Sequence, residues 1–128
     1  AWTLLQVGYE ADWPEEPNPA FEAGDVSSFL PTADYVVHPP LGKWMIALGM
    51  RFFGGAENPW TWRIASAVVG VVAVVLVARI ARRLFASTAM GIVAGALMAV
   101  DGEAIVHSRT GLLDNMLMIW VLVAFGCL

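Results

Sequence analysis

The chain has 128 residues, of which 59% are hydrophobic and only 14% charged; about 45–50% apolar is usual for a soluble domain, so the composition points to a membrane class. Its net charge of −4 conceals an asymmetry, because residues 1–37 carry seven acids (Glu10, Asp12, Glu15, Glu16, Glu22, Asp25 and Asp34) and no Lys or Arg, while all seven basic residues follow. An acidic segment without a basic patch excludes nucleic acid as a partner, and the lone Cys127 excludes an internal disulfide framework and a cysteine metal knuckle.

The chain opens at Ala1 without a Met and stops at Leu128 inside an apolar run, so both ends are expected to be cut from a longer protein. In residues 1–10 the spacing of Trp2, Leu5 and Tyr9 is helix-like, after which Pro14, Pro17, Pro19, Gly24 and Pro31 remove any long regular element. Residues 1–37 are therefore expected to form an acidic loop. From His38 the pattern changes. Pro39 and Pro40 suit a helix start, and Leu41, Met45, Leu48 and Phe52 then recur at i, i+4, i+7 and i+11, with Lys43 and Arg51 on the other side. About 13 residues rise roughly 20 Å, short of a hydrocarbon core of about 30 Å. Residues 38–55 are expected to be an interfacial amphipathic helix, ended by Gly54 and Gly55.

Between Arg63 and Arg79 lie fifteen residues without a charge, apolar on every side, as in a membrane span. With its flanks this predicts a first transmembrane helix over about residues 60–85. Trp60 and Trp62 fit the aromatic belt at one end, while Arg79, Arg82 and Arg83 fit the positive-inside rule at the other and need no chemistry. The acidic loop then faces outside. A second span over 86–101 contains Gly91-x-x-x-Gly95, a spacing that lets helices approach closely, and a third covers 110–128. The expected fold is an all-α membrane protein with an outer loop, an interfacial helix and about three transmembrane helices. Alternating spans put Asp101, Glu103, His107, Arg109 and Asp114 on the same outer face as His38, Lys43 and Arg63.

Charges kept at membrane depth cost about 2.5–3.5 kcal/mol each on insertion scales, which makes them functional candidates. If a helix starts near Asp101, then Glu103, His107, Thr110, Gly111 and Asp114 share one polar stripe facing a cavity; the plainer reading of Asp101-Gly102 is a capping turn. Arg63 and Arg109 are able to fork two donors onto a phosphate, or else to snorkel as anchors. His38, ahead of two prolines, is open to three readings: metal ligand, phosphate donor or helix-start residue.

Taken together, His38-Pro39-Pro40-Leu41-Gly42-Lys43, Trp62-Arg63, Asp101-Gly102, Ser108-Arg109 and Leu112-Leu113-Asp114 resemble the protein O-mannosyltransferases. The likeness runs from about residue 36 and is closer to bacterial, particularly actinobacterial, members. It implies a multi-helix glycosyltransferase C fold in a bacterial plasma membrane. It also implies transfer of mannose from a polyprenyl- or dolichyl-phosphate-mannose donor to Ser/Thr hydroxyls of secreted or translocating proteins, outside the cytoplasm. The family's Asp-Glu pair, which supplies the catalytic base, is expected upstream of Ala1, so no loop acid is assigned that role and the fragment alone is expected to be inactive. By position Arg63 and Arg109 are expected at the donor phosphate, with His38 and Lys43 shaping that pocket. Asp101 and Asp114 orient those cations or hold a divalent metal, the one cofactor left open. Two other readings compete: another lipid-linked-sugar transferase of the same architecture, of the aminoarabinose type, and a non-catalytic transporter module. Spans without a mid-helix proline disfavour the latter.

Overall fold

A computed structural model describes all 128 residues. The chain is helical, with a single isolated antiparallel bridge, Ala11 to Ala33, outside the helices. It divides into two compact units, residues Ala1–Ala65 and Ser66–Leu128.

The first unit contains α1 (Trp2–Val7), α2 (Asn18–Glu22), α3 (Pro40–Phe53) and the first turns of α4 (Pro59–Leu84). The acidic segment is more ordered than a plain loop. The bridge is framed by Asp12 N donating to Thr32 O at 2.9 Å, Leu30 N to Asp12 O at 2.8 Å and Asp34 N to Glu10 O at 2.8 Å. The Trp2 indole donates to Val26 O at 2.9 Å and fixes α1 on the returning chain. Trp13 meets Phe21 and Phe29 edge-on at 5.8 and 5.9 Å, and Phe21 reaches Trp62 at 5.4 Å. These apolar contacts compensate for the lack of long elements that the prolines enforce.

Helix α3 starts on Pro40, whose absent N–H is no loss at that position, and stops at Gly54, where φ is +104°, a conformation that L side chains resist. Ile46, Ala47, Gly49 and Met50 are buried, and a Cβ on Gly49 would lie 2.7 Å from the Thr61 carbonyl oxygen. The opposite stripe of Leu41, Trp44, Leu48 and Phe52 is half or more exposed, reaching 76% at Phe52. Of the apolar repeat read from the sequence, Leu41, Leu48 and Phe52 face outward while Met45 is partly covered, and of the two basic residues expected on one opposite face Lys43 lies inward and Arg51 is exposed.

The second unit comprises the rest of α4 with α5 (Thr88–Val100), α6 (Gly102–Arg109) and α7 (Leu113–Gly126). Helix α4, 26 residues long, is long and apolar enough to cross a membrane. Helix α5, capped by Ser87, returns along it. Gly91 and Gly95 make that approach, since a Cβ would fall 2.8 Å from Ala78 O and 2.9 Å from the Ala78 Cβ respectively. Helix α7 runs parallel to α4: Asn115 bonds Ser66 near one end, and Arg83 donates to Gly126 O at 2.7 Å near the other.

Two breaks depart from the expected spans. Asp101 ends α5 and caps α6, its Oδ1 accepting from Ala104 N at 2.8 Å. The 13 residues of α5 alone rise about 20 Å, and α5 and α6 make a span only as a pair bent by 61°. The second break corrects the polar stripe. Helix α6 stops at Arg109, Thr110 is extended at φ −108° and ψ 150°, and α7 begins only at Leu113, so Glu103, His107 and Asp114 do not share one helix face. The Thr110 hydroxyl, donating to Val106 O at 2.9 Å, closes the last turn, and Gly111 lowers the cost of leaving the helix.

Candidate functional site

In the second unit α4, α5, α6 and α7 line an open cavity of about 450 Å³. Val71, Val74, Met98, Ile105 and Met118 supply apolar wall, and Ser108, Arg109 and Asn115 supply the polar part. Gly70 permits the close crossing of α4 and α6, since a Cβ there would lie 2.5 Å from the Ser108 Cβ. Arg109 is exposed, so its guanidinium stands where the apolar wall meets the outside. Asn115 is 2% exposed and donates through Nδ2 to Ser66 O at 3.0 Å, while its Oδ1 has no partner. A cavity of this size, largely apolar with a few polar groups at one side, has the form of a site for an amphipathic ligand.

Sequence reasoning assigned a role to Arg109, named Ser108 only as part of a motif, and passed over Asn115. A signal was there for Asn115, a lone amide followed by Met116, Leu117 and Met118, since a polar group in apolar surroundings needs a partner. Asp101 works as the helix cap that holds α6, the helix ending in Arg109. Asp114 lies exposed in the first turn of α7, where a carboxylate suits the positive end of the helix dipole. Glu103 and His107 face each other at 3.9 Å on α6.

In the first unit His38 is exposed two residues ahead of α3, and Arg63 is exposed in α4. Lys43 differs from both: its Nζ pairs with Glu10 Oε2, with the two side chains only 14% and 13% exposed. Among the other loop acids, Asp12 and Asp34 accept from the amides of Trp13 and Tyr35. Asp25 accepts from the Ser27 hydroxyl and amide, and these two bonds hold its carboxyl below the usual range. No three His, Cys, Asp or Glu side chains converge to form a metal-holding group.

Residues 37–128 match the family described as dolichyl-phosphate-mannose-protein mannosyltransferase. The chain belongs to this family. The match takes in the His38–Lys43 motif, Arg63, Asp101, Arg109 and Asp114 alike. Among its curated relatives is a polyprenol-phosphate-mannose–protein mannosyltransferase of Mycolicibacterium smegmatis, 50% identical over 93 residues, which are 73% of this chain and 18% of that protein. A Mycobacterium tuberculosis protein of the same name is 50% identical over 93 residues, 73% of this chain and 17% of its own length. One from Corynebacterium glutamicum is 43% identical over 89 residues, 70% of this chain and 17% of the relative. The chain thus spans less than a fifth of these mannosyltransferases, all from bacteria of the kind the motifs suggested. No solved structure matches the chain.

Proposed function

We propose that the protein carrying this chain transfers mannose from polyprenyl-phosphate-mannose to Ser/Thr hydroxyls of secreted or translocating proteins, at the extracytoplasmic face of a bacterial plasma membrane. The observation that carries this reading is the family match over residues 37–128, which contains both the HPPLGK and the SRTGLLD segments. We count α4 and the bent α5–α6 pair as crossings, and propose α7, 14 apolar residues running parallel to α4, as part of a third. With Arg79, Arg82 and Arg83 inside, the Asn115 end of α7 and Arg109 then lie outside.

In this scheme the chain contributes donor binding. The apolar cavity takes isoprenoid chain, and Arg109, at its edge, forks onto the phosphate. As the sugar leaves, the lipid phosphate gains charge, and a preorganised guanidinium stabilises it. Asp101 keeps Arg109 in place through the α6 cap. His38, Lys43 and Arg63 are proposed as further donors to the phosphate, on the strength of the motifs in which they stand. The carboxylate that takes the acceptor's proton is assigned to none of the acids of this chain.

Reconstituted full-length protein, given polyprenyl-phosphate-mannose and a Ser/Thr-rich peptide, should produce a mannosylated peptide. Transfer of a sugar to lipid A or a glycan instead, with the peptide untouched, would move the protein to another transferase of the same architecture. Repeating the assay with a chelator reads whether Asp101 or Asp114 works through a divalent cation.

A further inference from the structure

Glu10 is the only one of the seven loop acids that pairs with a cation, and the cation it holds is the lysine of the HPPLGK motif. The pair is nearly out of water, and such pairs gain little net stability because desolvation offsets much of the attraction. Neither partner needs it for position. The Glu10 backbone is already held, its carbonyl accepting from Asp34 N at 2.8 Å, and α3 is seated by Ile46, Ala47 and Met50. A side-chain pair that does not set the position of either partner, made on the motif lysine, is available for exchange.

We propose that Glu10 is the resting counter-ion of Lys43, occupying the ammonium until the phosphate of the donor lipid displaces it. This rests on the reading of Lys43 as a donor-phosphate ligand. A carboxylate keeps the lysine charged and oriented in a poorly hydrated place, where a bare ammonium would carry the full cost of desolvation. A phosphate presents more acceptor oxygens and makes charge-assisted bonds of greater strength, so it takes over the ammonium when it arrives, and Glu10 turns to water. Glu10 thereby acts as a positioning residue, and it sets donor affinity by competition.

The competition has a sign that a purely structural pair lacks. In the full-length enzyme, Glu10→Gln removes the competing charge with little change in shape. The KM for polyprenyl-phosphate-mannose should fall by up to about fivefold, the range expected for losing a modest ion-pair contact. Lys43→Met should raise that KM, and the double variant should match Lys43→Met alone. An unchanged or higher KM in correctly inserted Glu10→Gln protein overturns the proposal, as does a Glu10→Gln effect that persists without Lys43. If Glu10→Gln lowers thermal stability, Glu10→Asp provides the same reading: a shorter carboxylate that grips less should lower KM, and a raised KM counts against exchange. A Lys43→Met enzyme with unaltered KM defeats the ligand role of Lys43 and the exchange with it. A raised KM in Lys43→Met with no fall in Glu10→Gln defeats the exchange alone.

Discussion

Asn115 in α7 donates its side-chain amide to the carbonyl of Ser66 in α4 across 3.0 Å, at a point where both residues are buried. Hydrogen bonds between membrane helices are worth about 0.6 kcal/mol on average and up to about 1.7. Asn115→Ala loses that bond and leaves a void beside Met116, so it should destabilise the second unit by about 1–3 kcal/mol. Asn115→Leu restores volume and removes the unpartnered Oδ1, so it should cost less. Unfolding of the protein in mixed detergent measures both, and an Asn115→Ala variant as stable as wild type would contradict the clamp.

Gly91 and Gly102 predict opposite outcomes for the same substitution. A Cβ on Gly91 would meet the Ala78 carbonyl and the Arg82 Cβ, both at 2.8 Å, whereas one on Gly102 meets nothing within 4 Å. Backbone at the contact cannot rotate away. Gly91→Ala should therefore cost about 1–3 kcal/mol through overpacking of α5 on α4, and Gly102→Ala should be neutral or slightly stabilising. Equal losses in the two variants would show that α5 and α4 do not approach as described.

Trp44 tests where α3 lies. The residue is 57% exposed on the stripe shared with Leu41, Leu48 and Phe52, and a 14-residue helix rises only about 21 Å. Lying along the interface, it should be quenched most strongly by lipids labelled near the headgroup. Strongest quenching from the bilayer centre would mean that α3 crosses or is drawn inward.

Sidedness is open to cysteine labelling. In a Cys127→Ser background, which removes the exposed free thiol, Ser87→Cys lies in the turn after the Arg79, Arg82 and Arg83 end of α4. A membrane-impermeant reagent should leave it unlabelled in sealed cells and label it after permeabilisation. Labelling from outside would invert the topology and remove Arg109 from the extracytoplasmic face.

The parts legible in the sequence were those set by local pattern. The uncharged run after Arg63 became α4, Gly54 and Gly55 ended α3, and Gly91-x-x-x-Gly95 made a close helix contact. Hidden parts depend on partners far along the chain: Trp2 with Val26, Lys43 with Glu10, Gly70 with Ser108 and Ser66 with Asn115. Periodicity carries no record of them, because each is created by packing. The polar stripe failed for a local reason. Thr110 and Gly111 interrupt it, because the helical spacing runs across a stretch that these two take out of the helix.

The transfer reaction itself gives the most direct test, made with the full-length protein, polyprenyl-phosphate-mannose and a Ser/Thr peptide, comparing wild type with Arg109→Lys. Lysine keeps one positive charge but loses the bidentate fork. Wild type should mannosylate the peptide, and Arg109→Lys, inserted at the same level, should turn over more slowly; complete loss of such a donor costs about 2.7–4 kcal/mol elsewhere. An inserted, folded wild-type protein that leaves the peptide free of mannose would contradict the proposed activity, and full turnover by Arg109→Lys would take Arg109 off the phosphate.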